Sequence, residues 1–185
     1  MANALVAIAD GSEDIETITI TDTLRRAGVQ VTLASVMPGL QVTCAHGTRV
    51  TADALMRECT GQVWDAVIAP GGMPGAEHLA ASVLFQTLLK QQAEEGRLVA
   101  AICASPAVVL AKLDLLDGKT ATCYPGFEDA LLESAAALKT EAVVRDGNLI
   151  TSRGPATALA FALAIAEALC GAETAARVGR GMLAF

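Results

Sequence analysis

Of the five cysteines in the chain, at positions 44, 59, 103, 123 and 170, one stands where chemistry is easiest. Cys103 follows "RLVAAI", a short apolar run of the kind that forms a buried strand, and precedes Ala104, Ser105 and Pro106, where a helix can start. A cysteine at such a turn lies beside unpaired backbone N–H groups and the positive end of the helix dipole, and both favour thiolate over thiol. Its pKa is therefore expected below that of a free thiol. The sharp turn also holds the sulfur out of the sheet, as in the nucleophile elbow of hydrolases, here with Cys in an Ala/Ser frame instead of GxSxG. Taken alone, a cysteine after an apolar run is more often an inert core thiol, so its neighbours decide the matter.

Two further turns carry groups that would serve a nucleophile. "PGG" at 70–72 ends an apolar run with two residues free of side chains, so backbone N–H groups at Gly71 and Gly72 can approach a ligand oxygen closely. With the amide of Ala104 they would form an oxyanion hole; by itself the motif is only a tight turn. "GSEDIE" places Glu13, Asp14 and Glu16 in the first turn of a helix, where the dipole alone favours acids. That accounts for Glu13 and Asp14. Glu16, flanked by Ile15 and Ile18, is expected to point inward, with its pKa raised by desolvation towards general-acid duty.

The elements that must position these turns are legible as apolar runs at 4–9, 30–35, 65–70, 97–103 and 148–152, which read as buried strands. Helical patterns lie between them at 14–27, 76–95, from 105 onward and at 155–170, the last closed by Gly171. Alternating strand and helix implies a mostly parallel sheet covered on both faces. Ligands bind such sheets beyond the carboxyl ends of the strands, where all three turns lie, so the turns are expected to meet in one crevice. No repeat, low-complexity stretch or linker marks a boundary, and residues 1–185 read as one domain.

Composition narrows the partners. Hydrophobic residues are 53% of the chain and aromatics only 3%, which predicts a core of aliphatic layers. A net charge of −7 without any Lys/Arg run argues against nucleic acid or an anionic membrane as partner. The N-terminal apolar run breaks at Asp10-Gly11, too soon for a signal peptide, and "ATALAFALAIAEALC" is too short to span a bilayer, so a cytoplasmic protein is expected. Scattered cysteines in odd number, without CxxC or Cys/His spacing, disfavour a disulfide framework and a metal site. The first turn lacks GxGxxG and no GxxxxGK[ST] occurs, which argues against dinucleotides and P-loop phosphates.

"ADGSEDIE", "APGG", "AICASP" and "TSRGPATALAFALAIAEAL" stand in the order and approximate spacing of the DJ-1/ThiJ/PfpI superfamily. From residue 4 to about 178 the chain resembles its short DJ-1-like (ThiJ/YajL-like) members most. The resemblance implies a flavodoxin-like three-layer α/β sandwich, a homodimer and no cofactor. It further implies Cys103 as the reactive nucleophile, Glu16 as the carboxyl group hydrogen-bonded to it, Gly72 and Ala104 as backbone donors, and Arg153 near the site or in the dimer contact. One departure stands out. Many relatives carry a histidine about twenty residues after the nucleophile and just before a proline, whereas here the segment is "TATCYPGF". Counting residues puts Cys123 there, while Pro125 points to Tyr124. His46 and His78 match no catalytic position, so proton transfer would fall to Glu16. The peptidase-like branch has histidine directly after the cysteine, and Ala104 in that place argues against proteolysis.

Three functions are compatible with these residues. The first is a cofactor-free glyoxalase or deglycase acting on methylglyoxal-type dicarbonyls or their early protein, thiol or nucleotide adducts. The second is a redox-sensing stress protein or chaperone in which Cys103 oxidises to sulfinic acid, with Cys123 either a resolving thiol or a small strand residue. The third is a non-catalytic module that binds a small metabolite. Tyr124 would donate a hydrogen bond into the site or merely cap a strand end. Cys44, Cys59 and Cys170 read as packing thiols.

Overall fold

Runs of Val, Ile, Leu and Ala without polar interruption are stable only where both faces of a sheet are covered, and that is where the central strands lie. The computed structural model describes Met1–Phe185. Its strands are β1 (Asn3–Ile8), β2 (Gln30–Ser35), β3 (Gln41–Thr43), β4 (Arg49–Thr51), β5 (Ala54–Leu55), β6 (Ala66–Ala69), β7 (Leu98–Ile102), β8 (Thr120–Ala121), β9 (Ala137–Leu138), β10 (Val143–Asp146) and β11 (Leu149–Ser152). The helices are α1 (Asp14–Arg26), α2 (Met56–Cys59), α3 (Gly75–Ala81), α4 (Val83–Glu94), α5 (Glu128–Leu132), α6 (Ala158–Cys170) and α7 (Ala172–Gly181). Seven strands form one sheet in the order β10-β11-β7-β6-β1-β2-β5, parallel except for the antiparallel edge strand β10.

The alternation of side chains along the strands divides the core in two. Ala4, Val6 and Ile8 of β1 face Ile20 and Leu24 of α1 and Phe161 and Ile165 of α6. Leu5 and Ala7 face the opposite side, with Leu79 of α3, Phe85 and Leu89 of α4 and Trp64. Each cluster holds 25 buried residues, so neither face of the sheet is left to water. Fully burying a Leu, Ile or Phe contributes about 1.5–3 kcal/mol, which makes these two layers the main source of stability.

All five strands read from sequence are present, each within a residue or two of its expected bounds. The helical pattern at 76–95 is two helices, because Ser82 leaves helical conformation and its Oγ accepts the N–H of Phe85 at 3.4 Å. The helix expected from 105 is a five-residue π-helix, Pro106–Leu110, followed by a single 3-10 turn, Ala111–Leu113, that ends at Asp114 in the left-handed region. The pattern at 155–170 opens as a 3-10 turn and becomes α6 at Ala158. The hairpin β3–β4 and the strands β5, β8, β9 and β10 are too short or too exposed to stand out as apolar runs. That hairpin matters to the first turn. Gly11 N–H donates to Thr43 O at 2.9 Å and Ala45 N–H to Ser12 O at 2.8 Å, while the Asp14 carboxylate accepts the N–H groups of His46 and Thr48 at 2.9 and 3.1 Å. No helix is long and apolar enough to cross a membrane.

Candidate active site

The chain leaves β7 at Cys103 with φ of 66°, a left-handed conformation that an L-residue adopts at a cost of order 1–3 kcal/mol. Two hydrogen bonds hold it there. Cys103 N–H donates to Ser152 O at 3.0 Å, and Cys103 O accepts the N–H of Tyr124 at 2.8 Å. The elbow expected from the apolar run before Cys103 is therefore formed, with the loop after β8 and the end of β11 clamping it from either side.

Glu16 comes to the same place from the first turn of α1. Glu13 caps that helix by accepting the N–H of Glu16 at 2.7 Å, and Asp14 is tied to the hairpin, so of the three acids only Glu16 turns inward. It has no solvent exposure. Its Oε2 accepts the N–H of Gly71 at 2.7 Å, its carboxyl group is hydrogen-bonded to the Cys103 thiol, and Oε1 has no partner. Burial pushes the carboxyl up to about 7; the Gly71 N–H and the Cys103 hydrogen bond pull it down, while the charge of Glu13 adds to the rise. The expectation of an inward, desolvated acid is met.

The two glycines of PGG make this approach possible. A Cβ on Gly71 would stand 2.4 Å from Cys103 Cβ and 2.9 Å from Glu16 Oε2, so any side chain would expel the thiol or the acid. Gly72 has φ of +87° and would put a Cβ 2.3 Å from Glu13 N. Gly71 O accepts the N–H of Glu13 at 2.9 Å. The C=O and N–H of one trans peptide point in opposite directions, so this bond aims the Gly72 N–H away from Glu13 and at the Cys103 sulfur. The Ala104 N–H reaches the sulfur from the other side. Ser105 Oγ, donating to Pro70 O at 2.6 Å, ties the two turns together.

The thiol itself reverses an expectation. Burial pushes Cys103 up to about 12; the charge of Glu16 adds to the rise, and the N–H groups of Gly72 and Ala104 pull it down. The backbone N–H groups at the helix start invoked from sequence are present but outweighed. Desolvation is strong because the residue is only 8% exposed and faces an acid. Through neutrality the pair therefore passes from two protons to one, and the thiolate forms most easily while Glu16 is protonated.

The remaining residues are distributed unevenly. Tyr124 is half exposed and is joined to the elbow by its backbone. Arg153 directs Nη1 to the carbonyl of Thr140 at 3.1 Å. Cys123 is buried in the cluster that holds Ala104, on the other side of the sheet from the cluster that holds Cys103, and burial pushes its thiol up to about 11. His46 is exposed, and His78 Nδ1 lies 2.9 Å from the carbonyl of Asp10. The largest surface cavity, about 790 Å³, opens at the other end of the strands beside Asp65, Arg145 and Asn148, away from the chemistry. Sequence reasoning missed the roles of Ser152, Ser105 and the backbone N–H of Glu13. They act through backbone atoms or a hidden hydroxyl, for which the sequence offers no signal.

This arrangement has counterparts in known proteins. The profile of the DJ-1/PfpI family matches residues 2–168. The chain belongs to the DJ-1/PfpI family. It is 42% identical to Protein dj-1beta of Drosophila melanogaster over 181 residues, covering 98% of this chain and 96% of that one. It is 38% identical over 166 residues to a Caenorhabditis elegans protein named glutathione-independent glyoxalase DJR-1.2, covering 89% and 86%. Among solved structures, oxidized Toxoplasma gondii DJ-1 superposes with a TM-score of 0.95 at 39% identity, covering 99% of this chain and 98% of that one. The DJ-1/PfpI resemblance seen in the sequence and the α/β sandwich it implied are thus both found.

Proposed function

We propose that this DJ-1 family protein is a cofactor-free glyoxalase or deglycase acting on methylglyoxal-type dicarbonyls or their early adducts, with Cys103 as nucleophile. The observation that carries the reading is the Glu16 carboxyl group: buried, near neutrality in pKa, and in hydrogen-bond contact with the thiol. The name of the Caenorhabditis elegans relative supports it. The sulfur adds to the aldehyde carbon, its proton passing to Glu16, and the new alkoxide is met by the N–H groups of Gly72 and Ala104. Glu16 returns that proton to the alkoxide, giving the hemithioacetal, and then, as a carboxylate again, moves a proton from the former aldehyde carbon to the neighbouring carbonyl carbon through an enediol, leaving a lactoyl thioester on Cys103. Water hydrolyses the thioester, releasing lactate and the thiol. One carbon is oxidised and its neighbour reduced, so no external oxidant enters. In deglycation the same attack intercepts an adduct and frees its amine or thiol.

Purified protein should convert methylglyoxal to lactate without glutathione, and Cys103→Ser should abolish this; undiminished turnover in the variant overturns the mechanism. The unpartnered Glu16 Oε1 favours a second reading, because a protonated acid there would donate to an oxygen placed on the sulfur, stabilising a sulfinate. Under it, mild peroxide adds two oxygens to Cys103 ahead of the other four cysteines, and uniform oxidation rejects it. Both readings include a homodimer, which would cover Ile15 and Ile18, exposed on α1, and a cytoplasmic setting that keeps the five free thiols reduced.

A further inference from the structure

The two backbone donors that face Cys103 are held in the same way, and the second hold depends on a side chain. At Gly72 the N–H is aimed because the carbonyl of the same peptide, Gly71 O, is fixed by Glu13 N–H at 2.9 Å. At Ala104 the carbonyl of the same peptide is Cys103 O, and its partner is Tyr124 N–H at 2.8 Å. The only cis peptide in the chain is Met73–Pro74, so the Cys103–Ala104 peptide is trans and its N–H points opposite to its carbonyl. Tyr124 N–H therefore sets the direction of Ala104 N–H. What sets Tyr124 is its ring. A Cβ on Gly154 would stand 3.0 Å from Tyr124 Cδ2 and 3.4 Å from Cε2, so the ring lies directly on the bare backbone of Gly154. Gly154 has φ of 167°, an extended conformation open to any residue, so nothing but the ring requires glycine there. Gly154 follows Ser152, which accepts the N–H of Cys103 itself, by two residues. Thus one loop receives the elbow's N–H and also seats the aromatic residue that grips the elbow's carbonyl.

We infer that Tyr124 is a positioning residue for the nucleophile: its ring, seated in the notch at Gly154, holds its backbone N–H on Cys103 O and so aims the Ala104 N–H at the sulfur and at an oxyanion formed beside it. The inference deepens the proposed reaction, since the aimed group is one of its two oxyanion donors. It assigns Tyr124 a role through ring shape and backbone, with the hydroxyl dispensable. It also explains how a residue other than histidine serves in the segment "TATCYPGF".

The test is the second-order rate of iodoacetamide alkylation at Cys103, followed by mass spectrometry on the full chain between pH 6 and 10. Dicarbonyl turnover is not needed for this readout, so failure of the glyoxalase reading leaves it intact. Tyr124→Ala frees the amide and should slow alkylation roughly five- to tenfold at pH 7, the value of one misaligned hydrogen bond, and move the profile to higher pH; Gly154→Ala, whose Cβ makes the ring give by a few tenths of an ångström, should move both in the same direction by less. Tyr124→Phe should retain the wild-type profile. The double variant Tyr124→Ala/Gly154→Ala should be no slower than Tyr124→Ala alone, because with the ring gone the notch has nothing to seat. Wild-type profiles for Tyr124→Ala and Gly154→Ala, losses that multiply in the double variant, or a Tyr124→Phe as slow as Tyr124→Ala would each overturn the inference. Should Gly154→Ala fail to fold, the contrast between Tyr124→Phe and Tyr124→Ala decides alone.

Discussion

Replacing Glu16 by Gln keeps an acceptor for the Gly71 N–H and removes the charge beside Cys103, which makes the proton shared by the pair visible. In the wild type the carboxyl titrates near 7 and the thiol, facing the carboxylate, near 12. Two unit charges about 4 Å apart at an effective dielectric of about 20 interact by about 4 kcal/mol, or about a thousandfold in the ionisation constant of the thiol. Below pH 7 the wild-type thiolate forms by losing a proton to solvent, and its fraction climbs with pH. Above pH 7 it forms chiefly by passing its proton to Glu16, an exchange that involves no solvent proton, so the fraction levels off. From these figures the thiolate fraction rises only about twofold between pH 7 and 9 in the wild type, against about fifty-fold in Glu16→Gln. Iodoacetamide alkylation of Cys103 reads this directly. The wild type should show a break near pH 7 that the variant lacks, while lactate formation from methylglyoxal is lost in the variant because no group remains to carry the proton. Parallel alkylation profiles in the two proteins would refute the coupling on which the mechanism rests.

The same carboxyl predicts a pH-dependent stability. Its folded pKa, about 7, lies above the ordinary value of 4.5, so its contribution is fully present below pH 4.5 and lost as pH rises through 7. Denaturant unfolding should show Glu16→Gln gaining about 3 kcal/mol on the wild type between pH 4 and 8, and a constant difference would contradict the buried acid. Gly71→Ala forces a Cβ to within 2.4 Å of Cys103 Cβ, an overpacking expected to cost about 1–3 kcal/mol and to slow Cys103 alkylation; a variant with unchanged midpoint and rate would mean that the two turns are not in contact. Because Cys123 is buried in the cluster opposite to that of Cys103, peroxide-treated protein digested without reductant should yield no peptide joining the two, and recovery of that peptide would restore Cys123 as a resolving thiol.

What the sequence disclosed and what it hid follow from which atoms do the positioning. The strands at 4–9 and 97–103 announce themselves because burial on both faces demands uninterrupted apolar residues, whereas the ground for reading Glu16 as inward fails: Ile15 and Ile18 are themselves exposed, and Glu16 turns in where its carboxyl group accepts the Gly71 N–H. The break at Ser82 was hidden because a serine that caps one helix also sits well in the middle of a longer pattern. The pKa of Cys103 was misjudged for a related reason. A strand-to-helix turn promises N–H groups and a dipole, but the burial of the sulfur and the acid it faces come from a distant part of the chain, which the local motif does not reveal. Desolvation beside Glu16 then outweighs the two N–H groups, and in the proposed mechanism the sulfur would gain its reactivity from the exchange of a proton with its neighbour. The deeper blind spot concerns the backbone. Both N–H groups that face the sulfur are aimed by hydrogen bonds to the carbonyl at the other end of their own peptide, from Glu13 and from Tyr124, and neither partner is recognisable by side-chain type. Gly71, Gly72 and Gly154 are the visible trace of that arrangement. Each marks a place where a side chain would occupy the space of a group the site needs, so in this fold the glycines carry as much information about the chemistry as the cysteine does.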